Sequence, residues 1–230
     1  MSTLFAVSED WRRYYPGACV GFLTLREVTN PSHHPELERA KRDLELTLRQ
    51  RWAGQDRRAL DGHGVLPAYA AYYRRFKKTY HVQGQLESVA FKDKPIPTVA
   101  VLVEAMFMAE LKNLVLTAGH DSDTLNWPIT VGVANGSETL TTLRGQEQTL
   151  KPADMFMADM NGVLSSIVNG LDRRCQITEH TRRVVYAAYA PEGVSETVVS
   201  AHLSDIRDLV RLVSPDALAD LTVIPAGAIA

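Results

Sequence analysis

The residues most able to do chemistry in this sequence cluster at Gly119-His120-Asp121-Ser122-Asp123, where an imidazole stands among carboxylates. That combination can supply a general base or hold a metal. The plainer alternative is a helix-ending glycine followed by a capping aspartate. Glu104 is a second candidate, because it interrupts the apolar run Thr98 to Met108. A buried carboxylate needs a partner, or it lines a pocket. Glu138 closes Asn135-Gly136-Ser137-Glu138, a stretch that also reads simply as a turn. His120, Glu104 and Glu138 are therefore the candidate catalytic residues, with Gly119, Asp121 and Asn135 beside them in a candidate substrate pocket.

The stretch from Tyr72 to Tyr80 carries Arg74, Arg75, Lys77 and Lys78 among Tyr72, Tyr73, Phe76 and Tyr80. Cations neutralise phosphates and aromatic rings offer stacking platforms to unpaired bases, so these four cations are candidate RNA contacts. The alternative is an amphipathic helix with buried rings and a solvated basic face. His33 and His34 are adjacent and would diverge on a helix, which speaks against a metal site. G-x-G-x-x-G, P-loop, H-E-x-x-H and G-x-S-x-G motifs are missing, so the sequence calls for no cofactor.

Several elements must position these residues. Tyr15 to Val28 reads as a strand stopped by Asn30-Pro31. Leu37, Ala40, Leu44, Leu48 and Trp52 recur at helical steps behind Pro35 and Glu36, which suit a helix start. A second helix is expected from Pro67 to Tyr80, and a third, buried, from Thr98 to Leu116. Beyond Asp121, Ile129–Ala134 and Glu138–Leu143 look like a hairpin turned by Asn135-Gly136. Met155–Met160 and Gly162–Val168 read as another strand pair, and Val184–Tyr189 as one more strand. Val199, Leu203, Ile206, Val210 and Val213 mark a last amphipathic helix, with a closing strand at Leu221–Ile224. Helices, then hairpins, then a helix indicate α+β organisation rather than a βαβ repeat. With 230 residues and no sharp break in composition, residues 1–230 read as one domain.

Composition narrows the function. The sequence is 45% hydrophobic and 23% charged, an ordinary globular balance, and its formal net charge is −2. A near-neutral chain contacts nucleic acid only through a local basic patch, and nothing here points to DNA. Its two cysteines, Cys19 and Cys175, suit buried thiols in a reducing compartment. There is no long apolar run for a membrane span and no apolar leader of useful length, so the expectation is a soluble, cytoplasmic protein.

One family matches these residues in order. Leu102-Val-Glu-Ala-Met-Phe-Met-Ala-Glu-Leu-Lys-Asn-Leu-Val-Leu-Thr-Ala-Gly-His-Asp121 resembles a helix carrying V-D-x-x-N that leads to a loop ending in Asp. Ile129 to Leu140 resembles the following strand and A-x-x-G-E-x-(L/F). Leu143, Arg144, Gly145, Ala158 and Asp159 match "L-x-G…AD", and Ile177, Thr181 and Val184 match I-x-x-x-T-x-x-V. The resemblance runs from about Arg74 to Tyr189. The family is the tRNA-binding and editing domain of the phenylalanyl-tRNA synthetase beta chain, the B-three/B-four domain, also found freestanding.

The resemblance implies a three-layer α+β fold containing a β-sandwich of unusual topology flanked by helices. It implies a pocket that, in the synthetase, removes mischarged tyrosine from phenylalanine tRNA. This chain departs from the family pattern: the motif's Asp is Glu104, its Asn is Phe107, the pocket histidine falls on Ala118, and the glutamate that reads the tyrosine hydroxyl falls near Ala187. A site built around a hydroxyl loses its discrimination without its partner, so the resemblance implies a smaller or less polar amino acid. The expected partners are tRNA and an amino-acid-like small molecule. The readings in competition are an aminoacyl-tRNA-binding protein or trans-acting deacylase, a non-catalytic small-molecule-binding module, and an interaction protein with a vestigial pocket.

Overall fold

The computed structural model describes residues 4–227. The chain opens with β1 (Phe5–Val7) and α1 (Glu9–Tyr14), then enters β2 (Cys19–Arg26). Next comes α2 (Pro35–Arg51), with Pro35 and acidic Glu36 and Glu38 in its first turn. Helices α3 (Leu66–Arg74), α4 (His81–Phe91) and α5 (Val101–Asn113) follow. Then come β3 (Thr117–Asp121), β4 (Ile129–Val133), β5 (Thr139–Thr141), β6 (Glu147–Thr149), β7 (Met155–Asp159), β8 (Gly162–Ser166), β9 (Gly170–Leu171) and β10 (Arg183–Ala190). Helix α6 (Glu196–Arg211) and β11 (Leu218–Pro225) complete the described chain.

Strands β5 and β6 pair as a separate two-stranded ribbon, and the other nine form two facing sheets. One is antiparallel, in the order β11-β2-β10-β3; the other runs β1-β4-β7-β8-β9. They touch face to face where Phe5 of β1 stacks on Phe22 of β2 with ring centroids 4.0 Å apart. They touch again where His120 of β3 meets Ser165 of β8, Nε2 to Oγ 3.0 Å. Helices cover the far face of the first sheet. Gly21 on β2 lies so close under Val199 and Leu203 of α6 that an added Cβ would sit 2.3 Å from Val199, so only glycine fits there. The Tyr186 hydroxyl of β10 donates to the Leu102 carbonyl of α5 at 2.8 Å. The result is α+β, in three layers: helix, sheet, sheet.

Strand β10 is buried along nearly its whole length, from Val184 to Ala190, because it lies at the centre of this stack. Its apolar run Val184-Val-Tyr-Ala-Ala-Tyr-Ala190 fits a strand covered on both faces. Strands β7 and β8 pair as the hairpin read from the sequence, and α2, α6, β10 and β11 stand where expected within a few residues.

Three expectations need correction. The helix expected over Thr98 to Leu116 stops at Asn113, with Leu114 in the left-handed conformation (φ 61°), and residues 117–121 are a strand rather than a loop. The helix expected from Pro67 to Tyr80 ends at Arg74, and a separate α4 begins at His81. The turn at Asn135-Gly136, with Gly136 at φ 99°, does not join a hairpin. Strand β4 pairs with β1 and β7, while β5 pairs with β6. Local turn chemistry thus bends the chain correctly, but packing chooses the strand partners.

Candidate functional site

The first sheet ends at β3, which pairs only with β10, and a groove of about 720 Å³ runs along that free edge. This size suits a small ligand or the end of a larger one. One wall is α5, which presents Val103, Met106 and Phe107, residues at three- and four-residue steps on one helical face. The opposite wall is the segment after β8, from Ser166 to Leu171, with Gln176 and Ile177 beside it. Leu143, 53% exposed, overhangs the mouth. A second, smaller cavity of about 320 Å³ adjoins and shares His81, Gln85 and Phe107 with the groove. No Asp, Glu, Lys or Arg lines the groove among the described residues.

The floor is Thr117, Ala118 and Gly119 of β3. The Tyr189 N–H donates to the Leu116 carbonyl at 3.1 Å, in register with the β10–β3 ladder. Antiparallel pairs alternate between those that exchange hydrogen bonds and those that do not, so the backbone groups of Thr117 and Gly119 point away from β10. Thr117 shows this directly: its N–H donates to Glu110 Oε1 at 2.8 Å. Gly119 is next along the edge and has no such carboxylate; its N–H and C=O likewise turn away from β10, and the residue is buried beside Ile177. A side chain at this position would have its Cβ 2.9 Å from Ile177 Cδ1, so glycine is what lets the edge and Ile177 approach.

His81 opens α4 and stands at the groove's rim. Although His81 is exposed at this rim, partial desolvation of its ring by the surrounding protein lowers its pKa below the ordinary imidazole value. The Tyr73 hydroxyl donates to the Ile167 carbonyl at 2.9 Å and lies 3.4 Å from His81 Nδ1. Opposite, Asn169 Nδ2 is buried with no hydrogen-bond partner. Tyr189 also lines the groove, and its hydroxyl is 2.8 Å from Ser165 Oγ, which meets His120 on the far side.

Of the candidate catalytic, pocket and RNA-binding residues, only Gly119 lines the groove, together with Phe107 and Ala118, which stand where the resembled pattern has its Asn and its pocket histidine. His120 points the other way, between the two sheets, as strand alternation requires. It is fully buried, and burial pushes its pKa down to about 4. Glu104 sits on the α5 face turned to α2, where Lys41 Nζ is 3.2 Å away and the Val99 N–H donates at 2.8 Å. It is a buried structural partner, and the expectation that it borders one pocket with His120 is not met. Glu138 accepts from the Asn135 N–H at 3.0 Å and the Gly136 N–H at 3.2 Å, holding its own turn. Asn135 accepts from the Ser137 N–H at 2.9 Å in the same turn. Asp121 accepts from the Asp123 N–H at 3.0 Å and the Thr181 hydroxyl at 2.6 Å, which makes it a cap. Glu138 and Asn135 are consumed by their own turn, and Asp121 by its cap and by Thr181.

Arg74, Arg75, Lys77 and Lys78 are exposed, and among the described residues none is within salt-bridge distance of a carboxylate. Their aromatic neighbours are not stacking platforms. Tyr69, Tyr72, Tyr73, Phe76 and Tyr80 are buried, and the Tyr72 hydroxyl donates to Asp154 Oδ1 at 2.7 Å. Tyr14 is the open ring here, 51% exposed, with the Arg75 guanidinium 5.4 Å from its centroid. Lys151 adds a fifth cation, and with burial it lowers the pKa of Lys78. Lys78 Nζ donates to the Val168 carbonyl at 2.9 Å, and Val168 lines the groove.

Sequence reasoning missed His81, Asn169 and the free edge. His81 lacks neighbours of like chemistry in sequence, and an open strand edge has no residue signature at all.

Comparison with known proteins places this geometry. A family model described as B3/4 domain matches residues 68–206. A solved structure with TM-score 0.51, an N-terminal fragment of the phenylalanyl-tRNA synthetase beta-subunit from Pyrococcus horikoshii, is 13% identical in sequence. The match covers 98% of this chain and 55% of that fragment, so this chain spans about half its length. At that identity the likeness speaks for the fold alone. No curated protein matches the chain. Among the described residues no helix is long and apolar enough to cross a membrane.

Proposed function

The chain belongs to the B3/4 domain family, and on that premise we propose that it binds the aminoacyl end of an aminoacyl-tRNA. The amino-acid moiety lies in the groove, and the adjoining phosphates lie on Arg74, Arg75, Lys77, Lys78 and Lys151. The observation that carries this reading is the contact between Lys78 and Val168, which sets a cluster of cations, none within salt-bridge distance of a carboxylate among the described residues, against the rim of an uncharged groove. Phosphates on one side and an apolar slot on the other suit a ligand that is anionic at one end only. The walls of Val103, Met106, Phe107 and Ile177 favour an apolar amino acid. The N–H and C=O of Gly119, turned away from β10, can donate to and accept from an amino acid's main-chain groups.

Filter binding of aminoacylated and uncharged tRNA over a range of salt tests this. The aminoacylated form binds more tightly, and the log–log salt slope has a magnitude of roughly 2 to 4, about 0.7 for each phosphate contact on a single strand. Reversing Arg74, Arg75, Lys77 and Lys78 to Glu abolishes binding and the slope together. Unchanged binding by that variant rejects the basic surface. Binding of a free amino acid with no preference for RNA supports the small-molecule module instead.

A further inference from the structure

Resting on the reading above, we propose that His81 is the general base of this groove, activating a water that hydrolyses the bound aminoacyl ester, with Asn169 donating to the oxyanion. His81 is the side chain lining the groove whose ordinary pKa lies nearest neutrality; the other titratable side chain there is Tyr189, whose pKa burial raises further above the ordinary phenol value. Its tautomer follows from its neighbour. The Tyr73 hydroxyl hydrogen is committed to the Ile167 carbonyl, so its oxygen faces His81 Nδ1 as an acceptor. This assigns the hydrogen to Nδ1 and leaves the Nε2 lone pair free to take a proton. His81 is exposed at the rim, and the protein packed around its ring desolvates it enough to lower its pKa, which favours the neutral form a base requires.

The groups facing His81 are Tyr73 from α3, Tyr80 just before α4, and Lys94 across the adjoining cavity. Among the described residues no carboxylate lines either cavity to hold an imidazolium. Asn169 Nδ2 is a buried donor without a partner in the same groove, an unmet hydrogen bond of the kind a developing negative charge satisfies.

In the step, His81 Nε2 removes a proton from water as the water oxygen bonds to the ester carbonyl carbon. The carbonyl π electrons move onto oxygen, where Asn169 donates a hydrogen bond. When the intermediate collapses, the bond to the ribose oxygen breaks and the imidazolium returns its proton to that oxygen. The products are the free amino acid and a ribose hydroxyl, and no other reactant is consumed.

The test uses the full chain and tRNA charged with radiolabelled leucine, isoleucine, valine or phenylalanine. Ester loss and binding are measured separately. The wild type accelerates release from at least one of these, with a rate that falls as pH drops below the imidazole range. His81→Ala slows release by roughly 10²- to 10⁴-fold while binding changes less than about 3-fold. His81→Gln, which keeps size and polarity, does not restore the rate, and Asn169→Ala slows it by roughly 10²-fold. Equal rates for wild type and His81→Ala overturn the proposal, and so does wild-type binding without hydrolysis above the uncatalysed rate. Failure to bind charged tRNA overturns the function proposed above instead. His81 is then tried on leucine methyl ester, where loss of turnover in His81→Ala upholds the base and undiminished turnover removes it.

Discussion

Two faces of the same strand treat polar groups in opposite ways. Toward the second sheet, β3 turns His120, which is sealed from water and tied to Ser165 and through it to Tyr189. Along its free edge, β3 offers Gly119, with no side chain and a peptide group turned away from β10. The residues that look most chemical are spent on holding the scaffold, whereas the ligand-sized space is bounded by apolar side chains and backbone. A neutral imidazole can be stored inside a sandwich because its pKa falls to about 4 there. An open edge can serve recognition because one glycine admits a ligand close to the main chain.

Removing a scaffold carboxylate should break the first half of this comparison and spare the second. Glu104→Ala leaves Lys41, itself buried, with Glu38 and Thr98 as its remaining partners at 2.6 and 2.9 Å. It also strips the Val99 N–H of its acceptor. Breaking a buried pair this way costs about 3 kcal/mol. Chemical denaturation should show that loss, while groove affinity measured on folded protein stays within about twofold. A variant that keeps its stability but loses binding would return Glu104 to the site.

Glu110 sharpens the comparison, because its carboxyl accepts from the outward N–H of Thr117, a kind of partner that Gly119 lacks. It is fully buried, and burial raises its pKa to about 8. Its folded-state pKa lies above its unfolded value, so the folded chain holds the extra proton. That contribution to stability is complete below about pH 4.5 and is lost as pH rises through 8. Glu110→Gln keeps an oxygen to accept from Thr117 and removes the titration. Thermal melts at pH 8.5 should place the variant roughly 2 kcal/mol above wild type, with the gap closing toward pH 5. Equal pH slopes for the two proteins would mean that the carboxylate is stabilised as an anion.

How much of this the sequence shows depends on the kind of signal. Helices α2 and α6 are legible because Leu37, Leu44 and Leu48, and Val199, Leu203 and Ile206, repeat at the helical period. Strands β7, β8 and β10 are legible from short apolar runs between turn residues. The end of α5 is not, because Leu114 takes the left-handed conformation that sequence patterns reserve for glycine or asparagine. That hid β3, and with it the true orientation of Gly119 and His120. The partners of β4 and β5 are set by non-local pairing, which Asn135-Gly136 cannot report. The basic residues were legible as charges, but the burial of their tyrosines depends on Asp154 and Tyr189, which lie far along the chain.

The smallest effect should come from the smallest change, one methyl at the edge. In Gly119→Ala the new Cβ meets Ile177 Cδ1 at 2.9 Å and the Tyr186 ring at 3.2 Å. Tyr186 cannot retreat, because its hydroxyl is held by the Leu102 carbonyl at 2.8 Å and the ring is fully buried. Ile177 can, since the groove it lines is open beside it. The strain therefore resolves by moving Ile177 into the groove, at a cost of about 1 kcal/mol in stability. The fold survives, and the ligand space narrows. Groove affinity should fall by roughly tenfold, about 1.4 kcal/mol, for the largest apolar amino acid accepted, and less for the smallest. Paired with Ile177→Val, which shortens the displaced side chain, Gly119→Ala should regain much of that affinity. If Gly119→Ala binds every amino acid as the wild type does, the edge of β3 is not the floor of the ligand site.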